Sequence, residues 1–399
     1  MASPERRKIL FVIDSFNIGG AERSLCTLLN LLPQNRFDLR VLLTARGGAL
    51  EKYLPAGIAL SEIPLRGPGL RARIAFAWRH ALHAVVSRLP GPLRSKANPV
   101  ERHWRLLGSL APAPEENFDV AVAYHQGFPT YYVARKIRAD RKIAWINADI
   151  VRDNYTESFN LGFYSLYNKV VAASPGLRNL LLDTWHFDPT RLIAVRDIVS
   201  PAVLQKLADE ERVPEENGEE AAMPVTGSSP LVILTVGRLV PVKGYDLLLG
   251  AACLLRDRGL NFRWDIVGDG PLRKQIEEEI GAKGLREHVR LLGALDNPYP
   301  LMRRCDIYVQ PSRSEGYGIA VCEARAFCRP VIVTDFKVAS GLVDDGTDGL
   351  ICGMTAGALA DAVMRLSSPQ LREQFSAHLS ANPSDKAAES LDTILNLLS

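Results

Sequence analysis

The sequence predicts an α/β protein of two doubly wound domains, each a parallel sheet covered by helices on both faces. Three observations lead there. Short apolar, β-branched runs alternate with helical patterns from one end of the chain to the other, which is how strands buried on both faces read. The runs fall into two series, and 399 residues exceed one ordinary core, so about two domains of roughly 200 residues are expected. Three of the runs open directly into glycine-bearing turns followed by helix patterns, as at the carboxyl edge of open α/β sheets.

The first series is KILFVID, DLRVLLT, FDVAVAY, KIAWIN and KVVAAS, closed by RLIAVRD. The second is LVILTVG, FRWDIVG, VRLLG, DIYVQP and PVIVTD. The hinge is expected near residues 196–200, giving a first domain over 1–199 and a second over 200–384. The stretch 209–230, DEERVPEENGEEAAMPVTGSSP, is acidic and then rich in Pro, Gly and Ser, and reads as a solvated loop early in the second domain. The last pattern, KAAESLDTILNLLS within 385–399, reads as a helix crossing back to the first domain.

Composition narrows the function classes. With 47% apolar and 23% charged residues the chain is globular rather than extensively disordered. No apolar run reaches the roughly 18 residues of a membrane span. MASPERRK leads at once into ILFVID, too short a run for a signal peptide, so a cytoplasmic location is expected. Six cysteines at 26, 253, 305, 322, 328 and 352 form no C-x-x-C pair and read as free thiols of a reducing compartment. The seven histidines lack metal-ligand spacing and there is no Asp-x-Asp, so neither a metal nor any other cofactor is expected.

One segment stands apart. Residues 66–105 hold eight arginines and one lysine against the single acid Glu101, about +8 in a chain of net +3. Trp78, Phe76, Val85 and Trp104 are interleaved among them. Such a stretch suits an anionic membrane surface, with a solvated helical face as the plainer reading. No nucleic-acid-binding motif accompanies the charge, and nucleic acid is not an expected partner.

The glycine turns carry the chemistry. DSFNIGGAER (14–23) follows the first strand, and Gly20 lets the backbone approach a ligand where a helix opens. VGRLVPVKGYDLLL (236–249) places Arg238 and Lys243 five apart on a strand-to-helix turn, where two cations neutralise a diphosphate without metal. VGDGPLRKQIEEEI (267–280) repeats the pattern with Gly268. SRSEGYGIAVCEARAF (312–327) puts Glu315 in a loop with Gly316 and Gly318, and Glu323 about one turn into the following helix. Carboxylates accept from sugar hydroxyls, so cations and acids together fit a ligand with hydroxyls and a diphosphate. A helix-terminal acid plus a surface glutamate is the structural alternative for the pair.

Through GGAER, VGRLVPVKG, VGDGP, EGYGIAVCEARA and PVIVTD…VDDGTDGLI the chain resembles the retaining GT-B glycosyltransferases of family 4, whose signature is the E-x7-E spacing seen here from Glu315 to Glu323. The likeness runs over nearly the whole chain and is strongest over 231–352. It implies two Rossmann-like domains facing a central cleft, with a nucleotide-sugar donor and a glycan or lipid-linked acceptor. Glu323 would hold the ribose and Glu315 would contact the donor sugar or diphosphate. Arg238 and Lys243 would neutralise the leaving group.

KIAWIN-AD resembles the surface-polysaccharide branch, with one departure: Asn147 stands where that branch usually has a histidine. Asn cannot carry a proton at neutral pH. His125, ending VAVAYHQG, is the other candidate for the same cleft, or an ordinary structural hydrogen-bonder. A non-catalytic nucleotide-sugar or partner-binding protein and a sugar-nucleotide epimerase remain rival expectations.

Overall fold

The computed structural model describes residues 6–64, 78, 98–210, 229–382 and 386–399. The chain divides into two compact units, Met1–Ile198 with Lys386–Ser399, and Val199–Asp385.

The first unit is built on seven parallel strands: β1 (Arg7–Ile13), β2 (Phe37–Leu43), β3 (Ala59–Glu62), β4 (Asn117–Ala123), β5 (Arg138–Ile146), β6 (Lys169–Ala172) and β7 (Leu192–Ala194). They lie in the order β3-β2-β1-β4-β5-β6-β7. In the paired centre Ile9 faces Val120 and Val12 faces Ala123. Side chains alternate between faces along a strand, and both faces are apolar. Leu10, Val12, Ala121 and Ala123 enter one core, while Ile9, Phe11, Val120 and Val122 enter the other.

The helix Lys386–Leu398 belongs to this unit. Its Ile394 and Leu398 are buried in the same core as Phe11 and Trp145, contributing about 1.5–3 kcal/mol each. Arg36 donates to the Ser399 hydroxyl at 3.1 Å.

The second unit has six parallel strands: β8 (Leu231–Val236), β9 (Phe262–Val267), β10 (Val289–Gly293), β11 (Ile307–Gln310), β12 (Val331–Thr334) and β13 (Gly349–Cys352). Their order is β10-β9-β8-β11-β12-β13. Again one set of side chains, Ile233, Ile266, Ile307 and Val309, fills one core, and Leu234, Val236, Val267 and Tyr308 fill the other. In each sheet the strand order reverses between the first and fourth strands of the unit, and the crevice for ligands in such folds lies beyond the carboxyl ends at that point. The turns after β1 and β4, and after β8 and β11, are therefore where function is sought.

Two expectations fall largely outside the described residues, and one part of the first needs adjusting. The basic segment 66–105 lies outside the described residues except for Trp78 and residues 98–105. Within 98–105, Trp104 is not offered to a membrane. It packs edge-on against Phe128 and Phe163, with ring centroids 5.2 and 6.1 Å away, because the helix Pro99–Leu107 lays one side on the first core. Glu101 in that helix is fully buried, accepting from the Thr156 hydroxyl and the Asn160 amide at 2.8 Å each. Residues 211–228 of the acidic loop also lie outside the described residues.

All six cysteines are free, and burial pushes the Cys305 and Cys352 thiols up to about 12. No helix among the described residues is long and apolar enough to cross a membrane.

Candidate active site

In the second unit the turns after β8 and β11 are stitched together. Gly244 has φ +70°, and a Cβ there would lie 2.0 Å from the Pro311 carbonyl oxygen. Glycine is required both for the left-handed backbone and for that approach. The Arg313 N–H donates to the Val242 carbonyl at 2.8 Å, and its guanidinium grips Asp246 at 2.8 and 2.6 Å. Gly268 plays a matching part after β9: a Cβ at its φ of +150° would strike the Gly237 carbonyl oxygen at 1.9 Å. Both glycines are used by packing between turns, which fixes the backbone on which the charged side chains stand.

Lys243 and Glu315, 72 residues apart, meet on this frame. The ammonium donates to Oε1 at 2.7 Å and to Oε2 at 2.9 Å, in a pair only 20% and 10% exposed. Arg238, on the same turn as Lys243, is exposed and has no ion pair or side-chain hydrogen bond among the described residues. Glu323 is buried in the helix Ile319–Ala326, where it accepts from the Tyr299 hydroxyl at 2.8 Å. The last turn of that helix is anchored by the bidentate pair of Arg325 with the buried Asp348, at 2.8 and 2.6 Å. Gly318 immediately precedes the helix, and Gly316 lies in the loop between the two acids.

Sequence reasoning missed Gln310, Ser312 and Tyr299. Ser312 donates to Glu315 Oε1 at 2.6 Å and Gln310 donates to it at 3.0 Å. A signal existed: Tyr308, Gln310 and Ser312 recur at period 2, so three polar groups share one face of a strand that otherwise reads as core.

In the first unit the corresponding turns bring other chemistry together. Gly20 opens the helix Gly20–Leu31. Asp14 follows β1 and accepts from His125, Nδ1 to Oδ2, at 2.9 Å. Gln126 Oε1 accepts from the Asn147 N–H at 3.0 Å, which makes Nε2 its donating end. That end lies 3.2 Å from His125 Nε2. The imidazole proton is therefore assigned to Nδ1, which leaves Nε2 as the accepting nitrogen, in contact with the Gln126 amide. Asn147 Nδ2 donates to the Tyr124 carbonyl at 2.7 Å, while its Oδ1 is buried with no protein partner. Burial holds the Glu22 carboxyl, in the first turn of the helix Gly20–Leu31, above the usual glutamate range. Among the described residues no three His, Cys, Asp or Glu side chains are grouped to hold a metal ion.

The fold places these sites in a known class. A Staphylococcus aureus TarM variant, in complex with fondaparinux, alpha-GlcNAc-glycerol and UDP, is similar to this chain at a TM-score of 0.70 over 98% of this chain and 100% of that one, with 15% identity. This is a likeness of fold, and it defines two parallel-sheet Rossmann-like domains of the GT-B type.

Residues 219–380 match the family model of the glycosyl transferases group 1, a span that contains Arg238, Lys243, Glu315 and Glu323. The chain is 34% identical over 159 residues to the alpha-D-kanosaminyltransferase of Streptomyces kanamyceticus, covering 39% of this chain but only 41% of that protein's length. To the lipopolysaccharide core biosynthesis glycosyltransferase LpsD of Rhizobium meliloti it is 27% identical over 362 residues, 90% of this chain and 88% of that one.

Proposed function

We propose that this protein is a glycosyltransferase that moves a sugar from a nucleotide-diphosphate donor, a UDP- or GDP-sugar, to a glycan or lipid-linked acceptor in glycoconjugate or polysaccharide biosynthesis, with retained configuration. One observation carries the reading. Arg238 is exposed and unpaired among the described residues, five positions before Lys243, on the turn at the switch point of the second sheet. The Lys243 ammonium has three N–H donors and gives two contacts to Glu315, so one donor remains for a ligand. Two such cations fit a diphosphate and stabilise the charge that grows on it as the glycosidic bond breaks. Both Glu315 oxygens already accept from donors, which disfavours a covalent glycosyl-enzyme. The leaving-group oxygen would take the acceptor proton on the same face of the sugar, and Glu323 would hold the ribose.

Asn147 alone favours a non-catalytic binding protein, and the cations and acids of the second unit outweigh it. An epimerase would need an acid–base pair, for which the Asp14–His125 pair of the first unit is the described candidate, whereas the cations of the second unit favour transfer.

A panel of UDP- and GDP-sugars, read by nucleoside diphosphate release against sugar isomerisation, tests the proposal. A true donor at ~100 times its dissociation constant adds about 2.7 kcal/mol of stability. Activity is expected to survive EDTA. Isomerisation without release would make the protein an epimerase, and binding without either would make it a sugar-nucleotide receptor.

We further propose peripheral association with an anionic membrane at its cytoplasmic face through the basic segment. Trp78, 75% exposed, is the described feature that favours it. Reversing Arg71, Arg73 and Arg79 to glutamate should then abolish co-sedimentation with anionic vesicles. Failure of the unaltered protein to co-sediment at any salt concentration would refute it.

A further inference from the structure

Glu315 is more heavily bonded than a residue waiting for a sugar needs to be. Tyr308, Gln310 and Ser312 are almost wholly buried, and their hydrogen bonds run in one direction. The Tyr308 hydroxyl donates to Gln310 Oε1 at 2.6 Å, which fixes the amide and turns Nε2 the other way. That nitrogen lies 2.8 Å from Ser312 Oγ and 3.0 Å from Glu315 Oε1. Ser312 accepts from Gln310 and donates onward to Glu315 Oε1 at 2.6 Å. Lys243 completes the set on both carboxylate oxygens. An ionised carboxylate offers about four acceptor sites, and here four donor contacts come from inside the protein.

Buried polar networks of this kind stabilise a fold no better than apolar packing would, but they hold one geometry closely when every member is satisfied. What this network holds is the Lys243 ammonium, its one member with a donor left over. We propose that Glu315 is a positioning residue that acts through Lys243, and that Gln310 and Ser312 form the relay that sets it. The role of Lys243 as a diphosphate ligand rests on the function proposed above. The relay itself does not.

Two measurements on the full chain test this. The first is trace acetylation of lysine amines read by mass spectrometry, with the exposed Lys274 as internal standard. Lys243 should label several-fold faster in Ser312→Ala and Gln310→Leu than in the unaltered protein, and faster still in Glu315→Gln. Unchanged labelling of Lys243 in well-folded variants would overturn the relay. Should Gln310→Leu fail to fold, Ser312→Ala, which removes one oxygen, decides alone.

The second is a double-mutant cycle on turnover with Glu315→Gln and Lys243→Met. If Glu315 acts through Lys243, the double variant is no slower than Lys243→Met, and Ser312→Ala lowers kcat about tenfold with donor KM within about twofold. Multiplying losses would put Glu315 on the sugar instead and overturn the positioning role. Absence of turnover with every nucleotide sugar would sink the proposed function, and the acetylation result would still decide the relay.

Discussion

The turns of the first sheet carry Asp14, Glu22 and His125, whereas those of the second carry Arg238 and the Lys243–Glu315 pair. The strand orders about the switch point are the same, 3-2-1-4-5-6 in both units, and each first strand runs into a glycine-bearing turn. The topology supplies the crevice and is indifferent to what it binds. The residues of the turns decide that. In the first unit Asp14, His125 and Gln126 are joined in one hydrogen-bonded chain that ends on the Asn147 N–H, while Asn147 Oδ1 is left buried without a protein partner. In the second a guanidinium and one ammonium proton are left for an anion. The contrast favours the second unit for the diphosphate of the proposed donor.

The largest expected effect would break this contrast if it failed. Arg238→Ala and Lys243→Ala should each lower turnover by roughly 10²-fold or more, since each removes charge that matters most in the transition state. Wild-type rates of nucleoside diphosphate release in both would remove the clamp. Next is Glu323→Ala. Loss of a hydrogen bond to a charged group costs about 1.5–3 kcal/mol, so calorimetry should show both donor and free nucleoside diphosphate binding roughly 10- to 100-fold weaker. Weakening confined to the intact donor would move Glu323 from the ribose to the sugar.

Asp14→Asn sharpens the contrast from the other side. It removes the anion from the His125 contact, and for a pair 30% and 39% exposed the cost is about 1 kcal/mol at most, measured by urea unfolding. Affinity for nucleoside diphosphate should not change, and a clear loss would mean that the acids of the first unit touch the nucleotide.

The smallest effect concerns Glu22. Its carboxyl is held above the usual glutamate range by burial, so the folded chain keeps that proton more tightly than the unfolded one. The corresponding stability is complete below the unfolded value of about 4.3 and is lost as pH rises through the raised folded value. Glu22→Gln should therefore flatten the stability profile over that interval and leave the protein slightly more stable at neutral pH, seen as a higher Tm. A lower Tm at pH 7 would show that the ionised form is the useful one.

Sequence reading succeeded where one residue type dominates its surroundings. FVI in β1 and LVILTV in β8 are apolar on both faces and admit no other assignment. It passed over β3 and β13, four residues each. β3 is an edge strand whose ALSE is mostly exposed, and β13 begins with glycine, so neither offers an apolar run. The site divides in the same way. Arg238, Lys243, Glu315 and Glu323 stand out as candidates in the sequence because glycine turns and spacing mark them. That Lys243 would meet Glu315 does not show there, because 72 residues separate them and only the pairing of β8 with β11 makes them neighbours. The burial of Gln310 and Ser312 is marked only by their period-2 recurrence with Tyr308, a faint signal because polar residues at a strand end look like the start of a loop.

The helix Lys386–Leu398 gives this architecture a history as well as a shape. Ile394 and Leu398 close a core whose other members are drawn from the first 198 residues, yet a ribosome makes them only after the whole of the second unit. At about 5–20 residues per second, roughly 190 intervening residues leave that apolar face open for about 10–40 s. The first sheet must wait with a hydrophobic face uncovered while its neighbour is synthesised and folds. A chaperone that binds nascent chains would find its target there, and a stalled or prematurely stopped chain would be marked for removal by the same exposed surface.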